Sequence, residues 1–148
     1  KRKGLPKTVE ICLALAEEYS VQLDVFGVNE HDVPENLNHP IVKFHGYQTD
    51  IPFDTYDLMI HPAIAEPFGM VVVEALAKGC RVLVSDRVGA AEKKHEGLVS
   101  MGLDAPLLMW VEAAVKLIAK IPDQLPQFET WADVAVYYDE IVYKHVSV

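Results

Sequence analysis

The spacing of apolar positions changes several times along the chain, and each change marks a predicted element. From Pro6 to Tyr19 the residues Val9, Ile11, Cys12, Leu15 and Ala16 recur at helical spacing, with Pro6 suited to a first turn. Val21 to Gly27 alternates apolar and polar residues like a strand. The polar stretch from Val28 to Pro40 carries two prolines and reads as a loop with room for a short helical turn. Ile41 to Gly46 is the next predicted strand, and Gln48 to Thr55 is a connection shorter than most crossover helices. Asp57 to His61 reads as a buried strand because it is short, apolar and closed by Pro62. Gly69 to Gly79 sets two preferences against each other. Val71, Val72 and Val73 are β-branched and favour a strand locally, whereas Glu74 to Lys78 is strongly helical and Gly79 suits the position just past a helix end. A helix is predicted, since a strand follows at once at Arg81 to Ser85. A turn at Gly89, a weak strand at Gly97 to Ser100 and a helix at Leu107 to Lys120 follow. A Pro122–Pro126 linker then leads to a last helix, Phe128 to His145.

Strands alternating with helices and connections predict an α/β domain, a mostly parallel sheet with helices on both faces. Composition supports one folded unit, because 148 residues with 51% hydrophobic and 24% charged side chains supply enough apolar mass for a core. Thirteen Lys and Arg against twenty-two Asp and Glu give a net charge of −9. That balance argues against nucleic acid as a partner, since phosphate neutralisation needs a basic footprint. No apolar run approaches the ~20 residues needed to span a bilayer, and no basic amphipathic patch points to a membrane surface. Cys12 and Cys80 read as small buried apolar residues, which makes a reduced, cytoplasmic setting the expectation. The chain opens Lys1-Arg2-Lys3-Gly4 on a helix, whereas βαβ units open on a strand. A first strand upstream of Lys1 is therefore expected, with residues 1–148 forming one domain of a longer protein.

The stretch from His61 to Gly79 is the most informative for chemistry. It follows the carboxyl end of a predicted strand and opens a helix, where unpaired N–H groups and a partial positive charge favour ligand oxygens. Gly69 removes a Cβ that would hold a ligand off the backbone. Glu74 is the single charged residue between Met70 and Ala77, on a helix that is apolar nearly all round. Burial is expected for such a helix, so its carboxylate needs either a partner or a hydroxyl-rich ligand. Glu66, in the preceding loop, is expected to face the same crevice, and two carboxylates there suit polyhydroxyl recognition. The competing reading pairs Glu74 with Lys78 and leaves Glu66 solvated. Six histidines show no metal-ligand spacing, and His61 reads as a strand-end residue. Neither a Gly-x-Ser-x-Gly elbow nor a Gly-x4-Gly-Lys-Ser/Thr loop is present, so hydrolase and NTPase readings lack support.

Glu66-x7-Glu74 with Phe68-Gly69, followed by Ala75 and Gly79, resembles the signature of the retaining glycosyltransferases of family 4. Lys3-Gly4, Gly27, Phe44-His45-Gly46, Arg81 to Ser85, Gly89 to Glu92 and the stretch Trp131 to Tyr143 extend the resemblance across most of the chain. Arg81 replaces a usual proline, and Arg2 stands too close to Lys3 to serve as the family's arginine a few residues before its lysine, a role expected upstream of Lys1. The resemblance implies a Rossmann-like domain, the carboxyl-terminal, donor-binding half of a GT-B fold, with an amino-terminal acceptor domain elsewhere. It implies transfer of a sugar from a nucleoside diphosphate with retention at the anomeric carbon, and no metal or other cofactor. Carried over by residue, it gives Glu66 the donor sugar's hydroxyls, Glu74 the ribose hydroxyls and Lys3 the diphosphate. The backbone at Phe68, Gly69 and Met70 would hold phosphate or sugar oxygens. A nucleotide-sugar epimerase or phosphorylase of the same fold, and a non-catalytic module, are the alternatives.

Overall fold

A computed structural model describes residues 2–120. The Pro122–Pro126 linker, the predicted helix Phe128 to His145 and the Trp131 to Tyr143 stretch lie outside the described residues. Helix α1 (Leu5–Ala16) turns Val9, Ile11, Cys12 and Leu15 inward and stops short of the predicted Tyr19. Strand β1 (Leu23–Val25) pairs in parallel with β2 (Val42–Phe44), and both are shorter than their alternating patterns. Two 3-10 turns, Glu30–Asp32 and Glu35–Leu37, occupy the loop between them. Next come β3 (Leu58–His61), α2 (Met70–Ala77), β4 (Arg81–Ser85), β5 (Leu98–Met101) and α3 (Leu107–Ala119).

The strands form two parallel sheets rather than one: β1–β2, and β3–β4–β5. Strand β4 is central in the second and is apolar throughout because both its faces are covered. Val82 and Val84 pack with Val72, Ala75 and Leu76 of α2 on one face. Leu83, between them, packs with Ile11 and Leu15 of α1 and Trp110, Ala114 and Leu117 of α3 on the other. Helices therefore cover both faces, as the alternation predicts. Helix α1 also sends Val9 against Leu37 and Val42, so one helix roofs both sheets.

The conflict over Val71–Val73 resolves as helix. Val72 is fully buried against β4, and Val71 and Val73 pack at the edge of the same core. Burying this face is worth more than the few tenths of a kcal/mol by which β-branching disfavours a helix.

Candidate functional site

The carboxyl ends of β3 and β4 meet the amino ends of α1 and α2, and sequence dictates how closely. Gly4 and Gly69 precede the two helices with φ of 81° and 88°, the left-handed region open to glycine. A Cβ on Gly4 would sit 2.0 Å from the Pro62 carbonyl oxygen, and one on Gly69 would sit 2.8 Å from Val88 Cγ1. The Ile64 N–H donates to the Arg2 carbonyl at 2.8 Å, which fastens the start of the chain to the loop after β3. Neither helix start is capped by a side chain; the Thr8 N–H donates to the Gly4 carbonyl and the Val72 N–H to the Gly69 carbonyl, and the N–H groups before them precede the first intrahelical bond. Two partial positive charges thus converge on one corner of the domain.

In that corner the Lys3 ammonium forms an ion pair with the Glu66 carboxylate, bringing together residues 63 positions apart. The Glu66 side chain is only 13% exposed while that of Lys3 is 55% exposed, so the acid is held in the wall and the cation reaches outward. The loop carrying Glu66 is clamped from the other side. The Glu66 N–H donates to the Arg87 carbonyl, its carbonyl accepts from Gly89, and the Phe68 carbonyl accepts from Ala90 at 2.6 Å. The buried Ser85 hydroxyl donates to the Ala63 carbonyl. A cleft of about 640 Å³ lies between residues 64–67 and 86–92 and includes Glu66.

Two expectations need correction. Glu74 is exposed rather than buried, and it is not a wall of the cleft that Glu66 lines. Helix α2 buries Val72, Ala75 and Leu76 and leaves Met70, Glu74 and Ala77 outward, an i, i+4, i+7 stripe. A helix laid on one sheet face keeps such a stripe in water even when most of its residues are apolar. The competing reading fails as well. Glu66 is paired rather than solvated, and Lys78 donates to Asp50 Oδ1 at 2.9 Å and to the Ile51 carbonyl at 3.0 Å. Phe68 and Met70 at the start of α2 are exposed, as is Ile64 in the loop before it.

His61, read as a strand-end residue, is 8% exposed, and among the described residues its Nε2 has no hydrogen-bond partner. Burial, reinforced by the Lys3 charge, pushes its imidazole down to about 4. Burial likewise pushes the Cys12 and Cys80 thiols up to about 11, which keeps both protonated and unreactive. A separate polar group joins the ends of β1 and β2. His45 Nε2 lies 2.6 Å from Asp24 Oδ1, and the imidazole stacks on Phe26 at 4.8 Å. Burial alone would raise the Asp24 carboxyl, but hydrogen bonds from His45 and Gln22 outweigh it and hold the group below its ordinary range. Among the described residues no three His, Cys, Asp or Glu side chains gather as metal ligands, and no helix is long and apolar enough to cross a membrane.

Residues 1–120 match the family described as "Glycosyl transferases group 1". The chain belongs to that family. This group 1 glycosyltransferase chain is similar in fold to the crystal structure of WaaG, a glycosyltransferase involved in lipopolysaccharide biosynthesis, at 24% identity and a TM-score of 0.70. The match covers 80% of this chain and 35% of WaaG. It is also similar to Anabaena Alr3699/HepE, solved in complex with UDP-glucose, at 22% identity and a TM-score of 0.54, over 99% of this chain and 46% of that one. The parallel α/β architecture is thus that of GT-B glycosyltransferases, and the chain spans less than half the length of either structure. Comparison with curated proteins gives no match.

Proposed function

We propose that this chain is the carboxyl-terminal, donor-binding half of a retaining glycosyltransferase that uses a nucleoside-diphosphate sugar. The observation that carries the reading is the Lys3–Glu66 ion pair at the meeting point of two uncapped helix starts. A cation and two helix amino ends suit a diphosphate, and a fixed carboxylate beside them suits sugar hydroxyls. Lys3 would turn from Glu66 towards the diphosphate, where negative charge grows as the bond from the anomeric carbon to the phosphate oxygen breaks. Glu66 would accept hydrogen bonds from the donor sugar, and the backbone at Phe68, Gly69 and Met70 would hold phosphate or sugar oxygens. Glu74, just over one helical turn beyond Gly69 and open to solvent, would take the ribose hydroxyls at the outer edge. Lysine and helix-end amides would do the charge neutralisation that a metal ion does elsewhere. The acceptor would be held mainly by an amino-terminal domain, and its hydroxyl proton would leave with the diphosphate. The UDP-glucose bound to Alr3699/HepE supports a nucleotide-sugar ligand for this fold.

Calorimetry and thermal shift with UDP, GDP and ADP test the reading. At least one should raise the melting temperature by mass action, and Lys3→Ala should weaken that ligand about tenfold or more. No stabilisation by any of the three would overturn the donor-binding assignment.

A further inference from the structure

His61 is a polar residue at this corner that the proposed donor contacts leave unused. Its position follows from strand alternation. Leu58 and Ile60 of β3 pack into the core under α1 and α3, whereas Met59 packs into the core under α2. His61 shares the parity of Met59 and lies in register with Val84, a member of the α2-side core. As the last residue of β3, it lies beside the loop that the start of the chain meets, where the Ile64 N–H donates to the Arg2 carbonyl and Lys3 pairs with Glu66. The Lys3 charge acts on this ring. Pro62, the next residue, is the one that Gly4 touches.

An imidazole nitrogen buried without a partner carries a desolvation cost of ~1–3 kcal/mol, which a ligand can relieve. On these grounds we propose that His61 is a further binding residue of the donor site, its Nε2–H donating to a diphosphate oxygen alongside Lys3. The inference rests on the proposed donor-binding reading and adds a contact to it. Burial keeps the ring uncharged at neutral pH, so His61 offers one directed N–H and no competing positive charge. Lys3 supplies the charge from the exposed side, and His61 supplies direction from the buried side. The contact is specific to phosphate, because a nucleoside without phosphates has nothing to place there.

Two variants of the intact protein and one spectrum decide the matter. His61→Phe keeps a flat ring of similar size and removes the donor, whereas His61→Gln retains an N–H. Calorimetry should show His61→Phe weakening whichever of UDP, GDP and ADP the wild type binds by about tenfold or more, with the matching nucleoside unaffected. His61→Gln should recover part of that loss. In long-range ¹H–¹⁵N spectra of the wild type, the His61 Nε2 resonance should move on saturation with the nucleoside diphosphate. Wild-type diphosphate affinity in His61→Phe, equal loss of nucleoside and diphosphate, or an unmoved Nε2 resonance would each overturn the inference. The spectrum decides on its own if the variants fail to fold. Loss of binding in Lys3→Ala with none in His61→Phe would leave the donor site standing and remove His61 from it. Absence of binding by the wild type would instead remove the donor site itself.

Discussion

Protonating His61 works against the fold, because the charged ring would be buried beside the Lys3 ammonium. The unfolded chain takes up this proton near pH 6.5 and the folded chain only near pH 4. Between those values the unfolded state binds more protons, so the contribution of neutral His61 is complete above about pH 6.5 and falls away towards pH 4, by at most about 3 kcal/mol. Thermal melts at pH 7 and pH 5 should show this loss, and His61→Phe should shrink it; the same drop in both proteins would assign it to other groups. Gly69 makes the other demand at this scale. Alanine there combines a φ of 88° with a Cβ 2.8 Å from Val88, so Gly69→Ala should cost about 1–3 kcal/mol, read from denaturant midpoints. The side chain next to it in sequence, Phe68, is exposed and carries no comparable penalty. Both glycines were visible as motif positions, Gly4 after Lys3 and Gly69 after Phe68, but the contacts that make them obligatory come from Pro62 and Val88.

Helix α2 shows how an element sorts side chains that composition treats alike. Eight residues with one charge read as a buried rod, yet the helix lies on one face of a three-stranded sheet and keeps a stripe in water. Glu74 is on that stripe and Val72 is under it. Glu74→Gln should therefore leave stability within about 0.5 kcal/mol while weakening the nucleoside diphosphate, whereas Val72→Ala should cost about 1–3 kcal/mol. Unfolding curves paired with calorimetry on the two variants check both outcomes. A large loss of stability in Glu74→Gln would mean that the carboxylate has a structural partner. The element boundaries were legible where punctuation was strong: Gly69 and Gly79 bracket α2, and Pro62 closes β3. They were overestimated where alternation ran past the end of pairing. Val21 to Gly27 alternates throughout, but only Leu23–Val25 finds ladder partners on β2.

At the scale of the molecule, α1 and α3 hold the assembly from one side. Trp110 is fully buried among Ile11, Leu15, Leu83 and Ala114, where both helices meet the central strand. Trp110→Ala should be among the most destabilising single changes, about 3–5 kcal/mol, visible as a lower denaturant midpoint with the side chains of the candidate site untouched. The same face explains why the sheet divides in two without the domain dividing. Helix α1 spans the β1–β2 pair through Val9 and the β3–β5 sheet through Ile11 and Leu15. Its amino end at Gly4 therefore arrives beside Pro62, and that arrival puts Lys3 against Glu66. The candidate site is thus a consequence of helix packing over two sheets, and the pairing of Lys3 with Glu66 across 63 positions was not legible in either local sequence.

The order of strands and helices, their parallel arrangement and the Glu66-to-Glu74 stretch at the carboxyl end of β3 were determined by sequence alone, because period, glycine and proline act over a few residues. The glycosyltransferase resemblance also lay in short motifs, and the match over residues 1–120 supports it at the level of the group 1 family. Tertiary structure decided which carboxylate is paired and which is exposed, that Lys78 turns to Asp50, and that His61 is buried at the end of β3. Burial and pairing depend on what the chain brings from tens of residues away, and a local pattern carries no record of that distance.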